Sequence, residues 1–126
     1  MDRRSVRIAV LAHASMLFGF FFRYSFLFPL LIWKTVKHTK YSEFQAKQAA
    51  YYQIFSLLLL LLISFSAELI MLLPSPNGRA QKVDEVLVKS IEFVVYSLLS
   101  LYALYGAYKC SRGEEFRYIL LGDRCL

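Results

Sequence analysis

The sequence predicts an all-α integral membrane protein with three to four membrane helices: a short N-terminal hairpin, two full spans, and both termini cytoplasmic. Three observations lead there. Ile54 to Leu73 reads IFSLLLLLLISFSAELIMLL, twenty residues whose one charge is Glu68. At about 1.5 Å per residue such a helix matches a hydrocarbon core of about 30 Å. The chain has 126 residues, 58% of them hydrophobic, too few to wrap a helix that is apolar on every side inside a soluble domain. Finally, the excess positive charge, +6 overall, collects at the ends of the apolar segments, where it meets headgroups and sets orientation.

The whole chain, 1–126, reads as a single transmembrane domain. Its first apolar stretch runs from Ile8 to Trp33 and follows Arg3, Arg4 and Arg7. A cleavable signal peptide would end in small residues; Arg23, Tyr24 and further aromatics follow instead, so a retained helix is expected. Lys34, Lys37, Lys40 and Lys47 make the far flank equally basic. Two basic flanks belong on the cytoplasmic side, which favours a hairpin (8–22, then a short or re-entrant arm 29–38 led by Pro29) over one long tilted helix. Ser42 and Gln45 have capping-box spacing, which predicts a helix from Glu43: an amphipathic entry over 43–50, lying in the interface, and a span over 51–73. Pro74 to Gly78 ends that helix. A last span over 86–108 is expected with Asp84 as its N-cap, then an interfacial tail over 111–126 whose Tyr118–Leu121 patch rests on the bilayer.

Few residues suggest chemistry. Arg23, Glu68 and Glu92 are ionisable groups in or near the hydrocarbon, where charge is costly and is paired or functional. Under the hairpin topology all three approach the same side, so an intramembrane charge network is expected; snorkelling and an ion pathway are the alternatives. His13 sits inside the first apolar helix, where it either bonds a neighbouring helix or contacts haem or chlorophyll. The core has no second histidine, which excludes bis-His haem within one chain. Ala103, Gly106 and Ala107 permit close helix packing. Cys110 and Cys125 suit neither a disulfide framework nor a metal site; a reduced thiol is expected at Cys110, with acylation as the alternative. No phosphate loop, nucleophile–His–acid set or metal cluster is present in the sequence, so an enzyme is not expected. A DNA-binding protein would need a basic face with base-reaching side chains, and nucleic acid is not an expected partner.

Three motifs carry a resemblance. LAHASML (11–17) precedes PLLIWK (29–34); KYSEFQAKQAAYYQ (40–53) leads into the long helix; YGAYKCSRGEEFRYIL (105–120) closes the chain. Together they resemble a small bacterial and archaeal integral-membrane family of unknown function related to the small channel-like subunit of the chloroplast inner-envelope import translocon. Gln45 stands where that family usually has His, and Ile119 where Pro is frequent. The resemblance implies three to four membrane helices in a prokaryotic cytoplasmic (inner) membrane. The expected function is that of a non-catalytic accessory or scaffold subunit of a larger membrane complex, such as a respiratory or photosynthetic one. The expected partners are lipid and other membrane subunits or further copies of the chain. The alternatives are a pore or protein-translocation component, and a pigment- or haem-contacting subunit acting through His13.

Overall fold

The computed structural model describes residues 2–21, 24, 27–36, 39–72 and 80–119. They form helix α1 (Arg3–Ala14), a 3-10 helix (Ser15–Phe20), α2 (Leu27–Thr35), α3 (Lys40–Leu72) and α4 (Ala80–Ser111), with no strand among the described residues. Asp2 caps α1 by accepting the Arg4 N–H at 3.2 Å. The Ser15 hydroxyl donates back to the Ala12 carbonyl at 2.6 Å, at the point where α1 tightens into the 3-10 turn. The first apolar stretch is thus two helical arms, α1 and α2, and not one continuous helix.

Two helices, over Lys40–Ile70 and Glu85–Ser111, are long and apolar enough to cross a membrane. Only 11% of the most apolar window in each is buried, whereas the core helix of a soluble protein would be mostly covered. The distribution of side chains is inverted relative to a soluble protein. Among the described residues most buried positions are small or polar, including Ala9, Ala12, His13, Gln45, Ala46, Gln48, Ala49, Ala50, Ala103 and Ala107; Met16, Tyr52, Phe116 and Tyr118 are the large exceptions. Leu58, Leu62, Phe65, Phe93, Leu98 and Leu101 face outward. Small residues let backbones approach closely and buried amides bond across helices, which is how helices associate in lipid.

The core sits at one end of the bundle, where α1 packs between the beginning of α3 and the end of α4, with α2 against α3. This corrects two expectations. The stretch over 43–50 is not a surface helix: Gln45, Ala46, Gln48, Ala49 and Ala50 are buried in this core. The helix also begins three residues earlier than the Ser42–Gln45 spacing predicts. Thr39 Oγ1 accepts the Ser42 N–H at 3.2 Å, and Ser42 Oγ accepts the Thr39 N–H at 3.1 Å. The reciprocal cap is therefore Thr39–Ser42. Gln45 is released from capping and turned inward. Asp84, expected as an N-cap, lies inside α4.

At its other end α4 stops in a Schellman motif. Gly113 takes φ +75°, its N–H reaches the Cys110 carbonyl at 2.9 Å, and the Glu114 N–H reaches the Lys109 carbonyl at 3.1 Å. The positive φ favours glycine, and the reversal sends the chain back toward the bundle. Of the tail expected at the bilayer surface over 111–126, Phe116 and Tyr118 are buried among α1, α3 and α4 and Ile119 is exposed, while Leu120 and Leu121 lie outside the described residues.

Candidate functional site

The most highly organised feature is a buried polar node joining four parts of the chain. His13 comes from α1, Gln45 from α3, Cys110 from α4 and Tyr118 from the returning tail. His13 Nδ1 lies 2.7 Å from Tyr118 Oη, and His13 Nε2 lies 3.0 Å from Gln45 Oε1. Burial keeps the Tyr118 phenol protonated far above its ordinary range. With the Gln45 oxygen facing the ring, Nε2 carries the imidazole proton and donates, and the Tyr118 hydroxyl donates to Nδ1. The Cys110 thiol donates to the same Gln45 oxygen at 3.5 Å. Among the described residues the Gln45 side-chain nitrogen has no partner.

Aromatic rings wall the node. Tyr118 stacks on Tyr52, with centroids 3.9 Å apart and planes 4° from parallel. Phe116 meets the His13 ring edge-on at 5.6 Å. The Tyr118 N–H reaches Gln48 Oε1 at 3.4 Å, and Tyr52 donates to the Leu99 carbonyl at 2.9 Å. Outside the node, Tyr41 donates to the Glu114 carbonyl at 2.8 Å. Lys109, 2.8 Å from Glu114, holds that carboxyl below the usual carboxylate range.

This geometry locates several of the sequence candidates. Both ring nitrogens of His13 are engaged in hydrogen bonds, to Tyr118 and to Gln45. Ser42 caps α3 with Thr39, whereas Gln45 belongs to the node. Ala103, Gly106 and Ala107 are buried, and they receive the tail as well as a helix: a Cβ at Gly106 would lie 2.7 Å from the Phe116 ring. Cys110 is a free thiol, fully buried and not presented for acylation. Arg23 and Cys125 lie outside the described residues. Glu68 is exposed and Glu92 accepts a hydrogen bond from Ser64 between α3 and α4; with Arg23 outside the described residues, its expected pairing with either acid lies outside them too.

A groove of about 500 Å³ runs between the 3-10 helix, α3 and α4. Gln53, Ser56 and Ser64 lie along its α3 wall at helical spacing, with Glu92 opposite and Phe20 and Tyr96 closing one side. Gln53 Nε2 donates to Ser15 Oγ at 2.9 Å and to the Ala12 carbonyl at 3.4 Å, which ties this end of the groove to α1 and the 3-10 helix. Gln53 Oε1 is buried and has no partner among the described residues.

Sequence reasoning missed Phe116, Gln48 and Tyr52 as members of the node and placed Tyr118 on the bilayer surface instead. The available signal was the glycine at 113, since a glycine after a helix allows the chain to turn back on itself.

A family model, described as the magnetosome magnetite crystal formation protein family (MamF/MmsF), matches residues 4–124, nearly the full length of the chain. The chain belongs to the MamF/MmsF family. No curated protein and no solved structure matches it. MamF/MmsF proteins are magnetosome membrane proteins involved in magnetite crystal formation, which agrees with the two apolar helices and the inverted surface. The family match carries nothing on a relation to a chloroplast translocon subunit. The setting it gives is magnetite formation, where the sequence suggested a respiratory or photosynthetic complex.

Proposed function

We propose that this MamF/MmsF chain is a non-catalytic scaffold of the magnetosome membrane, supporting crystal formation by holding other membrane components in place. The observation that carries this reading is the combination of a closed interior with an open surface. Four segments are tied together through side chains at the His13–Gln45–Cys110–Tyr118 node, and Gln53 in the groove is bonded to Ser15 and Ala12. Outward, α3 and α4 offer long faces of leucine and aromatic side chains to lipid and to neighbouring helices. Such faces suit partner subunits or further copies of the chain, with both termini cytoplasmic as the basic flanks favour. His13 serves as a structural hydrogen-bonding residue in this reading, and no cofactor is required.

The test is a gentle-detergent pull-down of the tagged chain from magnetosome membranes, with mass spectrometry of the eluate. Stoichiometric recovery of other magnetosome membrane proteins supports the scaffold; a lone homo-oligomer with no other subunit overturns it.

The second reading is a pore or translocation component, favoured by Gln53, Ser56 and Ser64 along one groove wall facing Glu92. It predicts cation flux in proteoliposomes that Glu92→Gln abolishes. The scaffold reading predicts no flux.

A further inference from the structure

At the end of the bundle where α1 begins and α4 stops, a second cleft of about 400 Å³ is lined by Arg3, Val6 and Arg7 from α1 and by Ser111, Arg112 and Gly113 from the α4 terminus. Arg3 and Arg7 are one helical turn apart, so their side chains share a face. Neither makes an ion pair with a described residue. Arg112 Nε lies 3.6 Å from Glu114, but Lys109 shares that carboxylate at 2.8 Å, so one negative charge is divided between two cations. Asp2, the other nearby acid, caps the α1 N-terminus through its side chain. Among the described residues the cleft therefore carries an excess of positive charge: the guanidinium groups of Arg3, Arg7 and Arg112 stand against Asp2 and a shared Glu114.

Its other walls suit an anion. The Tyr108, Lys109 and Cys110 carbonyls near the end of α4, which would repel one, are taken up by the N–H groups of Arg112, Gly113 and Glu114. Gly113 adds no side chain, and a Cβ there would meet nothing within 4 Å, so the floor is open. The apolar span of α4 ends at Ser111, which sets the cleft at the depth where lipid headgroups begin. Guanidinium forks match phosphate oxygens two at a time, and basic pockets between membrane helices bind phosphate headgroups.

We propose that Arg3, Arg7 and Arg112 form a binding site for a phosphate-bearing anion at the membrane surface. Two sources share this chemistry, an anionic phospholipid headgroup and free inorganic phosphate, and the site stands apart from the scaffold reading.

The full chain in phosphatidylcholine nanodiscs, with or without added phosphatidylglycerol, separates the sources. Native mass spectrometry reads the lipid retained, and phosphorus NMR in phosphatidylcholine alone reads binding of inorganic phosphate. Arg3→Gln, Arg7→Gln and Arg112→Gln should each weaken binding about fivefold, while Arg4→Gln, outside the cleft, should not. Retained phosphatidylglycerol that Arg7→Gln reduces, without a phosphate signal, assigns the site to lipid; a phosphate signal that Arg7→Gln weakens by the same fivefold assigns it to the free anion. Arg7→Lys keeps the charge but loses the fork, and should fall between wild type and Arg7→Gln, which guards against loss of fold. The proposal is overturned if neither ligand binds, or if Arg4→Gln weakens binding as much as Arg7→Gln.

Discussion

His13 and Tyr118, 105 positions apart in sequence, meet in a 2.7 Å hydrogen bond inside the bundle. The bond ties the returning tail to the first helix. Gln45 completes the pairing on the other side of the imidazole, so three separate segments share one buried ring. Buried polar groups are costly to leave unpaired, which makes the node the most sensitive point of the fold.

Tyr118→Phe keeps the stack on Tyr52 but removes the donor to His13 Nδ1. Leaving that nitrogen unpaired should cost about 1–3 kcal/mol, read as a lowered unfolding midpoint in detergent. Tyr118→Ala should cost more, about 3–5 kcal/mol, because the ring contacts go as well.

Gly106→Ala places a methyl group 2.7 Å from the Phe116 ring. The ring is buried and cannot swing away freely, so a loss of about 1–3 kcal/mol is expected. Combining it with Phe116→Ala should give non-additive losses, because the clash disappears with the ring.

Thr39→Ala should destabilise α3 by about 0.5–2 kcal/mol through loss of the cap. Thr39 Oγ1 also lies 2.9 Å from Ser5 Oγ, so contact with α1 weakens at the same time. Helicity by circular dichroism together with the unfolding midpoint checks this. An unchanged midpoint would mean that the cap lies elsewhere.

Cys110 has no exposed surface in the folded chain. In a Cys125→Ser background, a membrane-permeant maleimide should label it slowly, and rapidly after denaturation. Tyr118→Ala should raise the native rate by loosening the tail.

Much of the fold is legible in the sequence for a physical reason: a run such as Ile54 to Leu73 has no stable place outside lipid, and the break between the first two helical arms follows from the basic flanks and Pro29. The site is less legible. Ser42 and Gln45 satisfy the spacing of a cap, but Thr39 and Ser42 meet the same need three residues earlier, and only the packed structure shows which pair forms. The tail misled for a related reason. Tyr118 and its apolar neighbours suit a bilayer surface as well as a core, and the choice is made by a partner, His13, that lies across the whole length of the chain. Periodicity carries no record of such a pairing.

The most direct test of the closed, tail-locked interior is a double-mutant cycle between His13→Ala and Tyr118→Phe, measured by reversible unfolding in detergent. A coupling energy of about 0.5–3 kcal/mol is expected for residues in direct contact. Strictly additive losses would contradict the account, because they would place Tyr118 away from His13 and the tail outside the bundle.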